Sequence, residues 1–324
     1  MKNLVGIIAG DPESINSEII AKTWKKKNLF KNTNVFLIGN FNLLKKQLKI
    51  LKIRIKLRKI NKIQGENFKK ELLIYDVPLK FNKPFEIPKK IKAGYIINSF
   101  NLAIKLVKEK KILGFINCSI NKNEVFKNKN FGVTEFLAKK LGVLGKEAML
   151  IYNKELSVSP ITTHIKLKKV SKSISKKKIV EKLISINKFF LKNFKIKPKI
   201  GIIGLNPHND EFRKNSEEKK IIIPAINQLK KKRILVEGPI SGDTAFLNFK
   251  KKGYHVLVGM YHDQVLSPFK ALFKFNAINI TVGLPFIRIS PDHGTSIDIV
   301  KKNLADPSSL IESIKFFKNR NVKT

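Results

Sequence analysis

Cysteine, tryptophan and arginine are nearly missing from this sequence. One cysteine, Cys118, in 324 residues excludes an internal disulfide framework and a cysteine-rich zinc site, and it fits a reducing cytoplasm. No apolar run approaches the roughly 18–20 residues of a membrane span, so no transmembrane segment is expected. Met1–Gly10 carries a single lysine and the short apolar run Leu4–Ala9 before Asp11, so no secretory leader is expected either. Acidic residues are scarce: 24 Asp and Glu face 66 Lys and Arg, a formal charge of +42. Only six of those cations are arginine, at positions 54, 58, 213, 233, 288 and 320. Proteins that read nucleic acids lean on arginine with base-stacking aromatics beside it. Here the lysines spread over nearly every expected helix and loop. Solvated lysine faces are therefore the better reading and a basic nucleic-acid-binding protein the poorer one, although such a field still draws in phosphorylated substrates.

Apolar residues make up 43% of the chain, with 17 glycines and 13 prolines, a globular composition. The length exceeds one usual domain, so two domains are expected. Short apolar runs alternate with helical patterns. Runs at 4–9, 35–38, 53–57, 72–76 and 112–116 read as strands, and 95–110 as a helix with Ile96, Ile97, Phe100, Ala103, Ile104 and Val107 on one face. Asn16 or Ser17 is expected to cap a helix through Lys27. A second set follows: helices at 134–141, 173–194 and near 217–231, and strands at 148–152, 156–161, 199–205, 234–237 and 255–260. This alternation predicts α/β units on a largely parallel sheet.

The densest polar chemistry lies in Tyr261–Asp298. It holds two of the five histidines, three aspartates and one of the six arginines. His262 opens it at the end of an apolar run, and His164 (in Thr162-Thr163-His164) and His208 (in Asn206-Pro207-His208) end two other runs. Ligands of open α/β sheets bind beyond the carboxyl ends of the strands, where three imidazoles could make an open metal site. The spacing follows no local metal motif, and hydrogen-bonded structural histidines are the competing reading. His255, inside a strand pattern, reads as structural. Lys270, Asn279 and Arg288 follow His262 at intervals of eight, nine and nine. Arg288 stands out as a planar cation suited to carboxylate or phosphate. Gly10-Asp11-Pro12 and Gly238–Asp243 each follow a strand and open a helix, where backbone amides favour anions, though an ordinary turn is the better reading of each.

Taken in order, the blocks GDPESINSEI (10–19), INK (120–122), TEFLA (134–138), TTHI (162–165), GLNPH (204–208), GPISGDTAF (238–246), YHDQ (261–264) and GLPFIRISPDHGT (283–295) resemble the 4-hydroxythreonine-4-phosphate dehydrogenase family of pyridoxal phosphate biosynthesis. The resemblance spans nearly the whole chain. It implies two three-layer αβα domains with a cleft between them, of the isocitrate/isopropylmalate dehydrogenase kind, placed here at 1–125 with 300–324 and at 126–299. It also implies a cytoplasmic homodimer with its active site at the subunit interface. His164, His208 and His262 would then be ligands of a divalent ion (Zn, Mg or Co), contributed by one or both subunits. Thr134, Lys270, Asn279 and Arg288 would bind the phosphorylated substrate, and His293 would meet NAD or NADP. Asp243 and Asp263 are candidates for orienting the histidines or for moving a proton. The implied reaction oxidises 4-phosphohydroxy-L-threonine to a β-keto acid that decarboxylates to 3-amino-2-oxopropyl phosphate.

Departures from the family pattern are specific. A substrate-binding histidine is Val133 here. Two glycines and a proline of the first motif are Ser14, Asn16 and Ser17, and a Thr-x-Pro is Asn117-Cys118-Ser119. A glycine-rich run has become Asn209–Arg213, and a Gly-Lys-Gly has become Lys301-Lys302-Asn303. Lost glycines threaten positions that need positive φ or close backbone approach. The alternatives left open are the same chemistry on a related four-carbon phosphorylated hydroxy acid, or a catalytically weakened homologue.

Overall fold

The computed structural model describes residues 4–63, 65–126, 132–274 and 276–318. Its strands, in chain order, are β1 (Leu4–Ile8), β2 (Asn34–Gly39), β3 (Leu57–Ile60), β4 (Leu72–Asp76), β5 (Gly114–Asn117), β6 (Ala148–Tyr152), β7 (Ser157–Pro160), β8 (Ile200–Ile203), β9 (Val236–Ile240), β10 (Val256–Gly259), β11 (Ile278–Val282) and β12 (Ile287–Pro291). The chain divides into two compact units, Met1–Lys129 with Phe286–Thr324, and Asn130–Pro285.

In the first unit the strand order is β3-β4-β2-β1-β5-β12, and all neighbours run parallel. Every residue of β1 is buried. That is the mark of a parallel strand covered on both faces, and it explains why the run reads as unbroken apolar sequence. Helices Asn16–Lys25, Phe41–Ile50, Lys89–Lys108 and Ser308–Lys315 supply the cover. The helix Lys89–Lys108 buries Tyr95, Ile96, Phe100, Ala103 and Ile104, which are spaced three and four apart as one apolar face requires. The strand expected at 53–57 forms later, at Leu57–Ile60. Lys52 adopts φ 54° and Ile53 N–H donates to Leu48 O at 3.0 Å, so the helix Phe41–Ile50 closes with a left-handed cap that consumes these residues.

Neither Asn16 nor Ser17 caps the first helix. Ile15 holds the cap position and no side chain caps it. Asn16 is buried and donates from Nδ2 to Ser119 O at 2.8 Å, while Ser119 Oγ donates to Asn16 Oδ1 at 2.9 Å. Its amide is spent on a long-range tie.

In the second unit the order is β11-β6-β7-β10-β8-β9. β7, β10, β8 and β9 are parallel, and β6 is antiparallel to both its neighbours. The long helix begins at Lys176 because Ser175 Oγ accepts from Lys178 N at 3.2 Å, an N-cap that sets the boundary. The helix near 217–231 starts as a π turn, Glu218–Ile222, before Ile223–Lys231. The one expected after Asp243 is split into Gly242–Ala245 and Phe249–Lys252. Among the described residues, no helix is long and apolar enough to cross a membrane.

Candidate functional site

Four parallel strands of the second unit finish on one edge of its sheet, and each hands the chain to a polar residue. β7 is followed by His164, β10 by His262, β8 by His208 and β9 by Asp243. The residues singled out at strand ends therefore share one edge, in the order of the strands. The imidazoles of His164 and His262 face each other with ring centroids 5.4 Å apart. His262 begins the helix His262–Phe273, and its Nδ1–H donates to Asp263 Oδ1 at 2.7 Å. A carboxylate on Nδ1 fixes the tautomer that turns Nε2 outward as a ligand.

His208 is exposed and follows β8 at φ 48°. Asp243 is fully exposed, and the Ser241 hydroxyl beside it, aided by the nearby His208, holds its carboxyl below the usual range. It is ionised at neutral pH. The turn that presents His208 is organised from behind by Glu218, which is 0% exposed. Its Oε1 accepts from Leu205 N at 2.8 Å and Asn206 N at 2.9 Å, and its Oε2 from Asn206 Nδ2 at 3.1 Å. Gly204 makes this possible, since a Cβ there would lie 2.0 Å from Asn209 Oδ1 and 3.2 Å from Glu218 Oε1. Glu218 belongs to no motif in the sequence that marks this role. The glycine opening Gly204-Leu205-Asn206-Pro207-His208 was the one visible trace of a side chain crossing the backbone there.

The other expected site residues are placed differently. Lys270 is half-buried on the helix that begins at His262, about two turns, or 12 Å, further along it. Asn279 pairs with Ile151, which pairs in turn with Val158; it therefore sits at mid-strand level, away from the histidine edge. Thr134 Oγ1 lies 3.3 Å from Thr281 Oγ1, tying the helix Val133–Lys140 to β11. Val133 is 4% exposed and presents no donor. Arg288 and His293 belong to the first unit. Arg288 is buried, and its Nε donates to Asn117 Oδ1 at 2.6 Å. His293 Nδ1 lies 3.0 Å from Gly294 O, and burial pulls its pKa down. His255 accepts from Lys199 N at 3.1 Å through Nδ1, a hydrogen-bonded strand residue as expected.

Among the described residues, no three His, Cys, Asp or Glu side chains form a group that could hold a metal ion. What one chain does assemble is a facing imidazole pair backed by a carboxylate, a donor set that suits a divalent ion of intermediate softness.

The sequence model of the family described as "Pyridoxal phosphate biosynthetic protein PdxA" matches residues 31–317. The chain is 40% identical over 318 residues, 96% of each chain, to 4-hydroxythreonine-4-phosphate dehydrogenase of a Sulfurihydrogenibium species. It is 34% identical over 321 residues, 97% of this chain and 96% of the other, to an Oceanobacillus iheyensis protein named "Putative D-threonate 4-phosphate dehydrogenase". Its fold is similar to a crystal structure of 4-hydroxythreonine-4-phosphate dehydrogenase from Klebsiella pneumoniae, with TM-score 0.88 and 29% identity over 98% of this chain and 99% of that one.

Proposed function

We propose, from the premise that this chain belongs to the PdxA family of pyridoxal phosphate biosynthetic proteins, that it is an NAD(P)-dependent, metal-dependent 4-hydroxythreonine-4-phosphate dehydrogenase. The observation that carries the reading is the His164–His262 imidazole pair at neighbouring strand ends, with Asp263 behind one ring.

His164, His262 and His208 are the residues that would hold the divalent ion, His208 coming from this chain or, as the resemblance implies, from a second copy in a homodimer. When bound there, such an ion would supply Lewis-acid chemistry at the substrate hydroxyl and carbonyl oxygens, and NAD or NADP would supply the hydride acceptor. The chain's own residues do the rest. Asp263 holds the His262 ring in one orientation. Asp243, ionised and exposed beside His208, is placed to receive the hydroxyl proton as hydride leaves carbon. Lys270 supplies a positive charge for the substrate's carboxylate or phosphate, while the substrate contacts of Thr134 and Asn279 rest on the resemblance. The roles of Arg288 and His293 rest on the resemblance alone. The β-keto acid so formed loses carbon dioxide to give 3-amino-2-oxopropyl phosphate. The resemblance implies a cytoplasmic enzyme.

Purified protein mixed with 4-phosphohydroxy-L-threonine should reduce NAD or NADP, lose that activity to a chelator, and regain it with Zn, Mg or Co. His164→Ala should abolish it. A folded protein that turns over with none of these metals overturns the reading.

A second substrate has specific support. Val133 is buried and donates nothing, and a relative carries the D-threonate 4-phosphate name. D-threonate 4-phosphate belongs in the same assay; faster turnover with it moves the substrate and keeps the chemistry.

A further inference from the structure

Gln264, in the Tyr261-His262-Asp263-Gln264 block, stands just behind the histidine and carboxylate of the site. Gln264 lies in the first turn of the helix His262–Phe273, and its amide points back between two strand ends. Its Oε1 accepts from Met260 N at 2.7 Å, and its Nε2 donates to Gly204 O at 2.6 Å. Met260 ends the strand segment that delivers His262, and Gly204 ends the one that delivers His208. On its other side Met260 O accepts from Thr162 N at 3.1 Å and from Thr162 Oγ1 at 2.7 Å. Thr162 belongs to the segment that delivers His164. The ties run Thr162–Met260–Gln264–Gly204 across the three histidine-bearing strand ends, and Gly204 N continues them to Ile240 O at 3.0 Å.

We propose that Gln264 is a positioning residue that fixes the separation of the histidine-bearing strand ends and so sets the metal affinity of the site. This rests on the metal-site reading above. The chemistry selects glutamine. The partner on one side is an amide N–H, which can only donate, and on the other a carbonyl, which can only accept. The glutamine amide meets both needs, accepting through Oε1 and donating through Nε2. Glutamate satisfies Met260 and places a carboxylate against the Gly204 carbonyl; leucine satisfies neither.

The backbone is shaped to admit this side chain. A Cβ at Gly259 would lie 2.7 Å from Gln264 Oε1 and 2.6 Å from Val265 Cγ1. The glycines before Met260 and before Leu205 are thus explained by the side chains that cross them, and both glycines flank the same tie. Helical dihedrals cannot by themselves hold two strand ends at a given spacing, whereas a two-sided hydrogen bond can.

The test uses the full chain, stripped of metal and titrated with Co²⁺, reading the visible absorption of the bound ion. Replacing residues that orient metal ligands costs about 10–100-fold in metal affinity. Gln264→Leu should weaken Co²⁺ binding by that factor and alter the band shape, with an unchanged far-ultraviolet spectrum. Gln264→Glu, keeping one of the two bonds, should fall between. If Gln264→Leu does not fold, Gln264→Glu and Thr162→Val, each removing one bond of the tie, carry the test with a loss of about tenfold. Wild-type affinity and band shape in the folded variants would overturn the positioning role while leaving the metal site standing. A wild-type protein that binds no Co²⁺ would overturn both.

Discussion

Lys92 is the residue on which the first unit's interior charge turns. It is 2% exposed, and its ammonium pairs with Glu13, with Glu124 Oε2 at 2.5 Å and with Asp11 Oδ1 at 3.7 Å. The same carboxylates fasten backbone: Asp11 accepts from Glu13 N at 3.0 Å and Asn121 N at 3.2 Å, and Glu13 from Ile87 N at 2.6 Å. The Gly10-Asp11-Pro12 turn, a candidate anion site by sequence, is in this way filled by the chain's own carboxylates. Lys92→Met leaves them without their cation and should cost about 3–5 kcal/mol in urea unfolding. Burial draws the Lys92 pKa down, but its bonds to Glu124 and Glu13 and the charge of Asp11 outweigh that and raise it above the ordinary 10.5. A raised lysine gives its full stabilisation below the unfolded value and loses it as pH climbs through the folded one. The gap between wild type and Lys92→Met should therefore stay constant from pH 7 to about 10 and shrink above that. A gap that widens there would contradict the assignment.

At the scale of elements, the turn after β8 is the most constrained segment. His208, Asn209, Asp210, Glu211 and Phe212 all hold φ between 48° and 58°. None is glycine, and each such residue costs about 1–2 kcal/mol relative to right-handed backbone. The family's glycine-rich run falls on Asn209–Arg213, overlapping these positions, and the glycines of a Gly-Lys-Gly fall on Lys301 and Asn303, at φ 69° and 59°. The expectation that lost glycines would meet positive φ is borne out there. Glu211→Gly should raise the unfolding free energy by about 1 kcal/mol, since the Glu211–Arg213 contact it removes is a surface pair worth little. A destabilised variant would contradict the strain. Three of the remaining departures, Asn16, Asn117 and Ser119, are matched by local bonding. Asn16 and Ser119 bond each other, and Asn117 holds Arg288. Mutual fit of this kind speaks against a decayed chain, in which substitutions accumulate without regard to one another.

The elements themselves were largely legible in the sequence. Buried parallel strands such as β1, β2 and β4 announce themselves as unbroken apolar runs, and the helix Lys89–Lys108 by its 3.6-residue stripe. Boundaries depended on caps and closing bonds between few atoms: Ser175 at one helix start and the Ile53–Leu48 bond at one helix end. The shared edge of His164, His208 and His262 was legible because all three follow strand patterns. Gln264, Glu218 and Thr162 were not, because what they do depends on which strands become neighbours, and β7-β10-β8-β9 is not the chain order. Asn279 is implied as a substrate residue by the resemblance, and its register at mid-strand level follows from pairings that the sequence does not display.

Over the whole molecule, a charge of +42 invites a nucleic-acid reading, yet the geometry that stands out is a facing histidine pair on a strand edge. The two accounts part at a single residue, His262. Metal-free protein should be titrated with Co²⁺ while bound metal and NAD(P) reduction of 4-phosphohydroxy-L-threonine are followed in the same samples. The account predicts that turnover rises in step with bound metal in the wild type, and that His262→Ala neither binds Co²⁺ at those concentrations nor turns over. Full turnover by the metal-free protein, or wild-type turnover by His262→Ala, would contradict it.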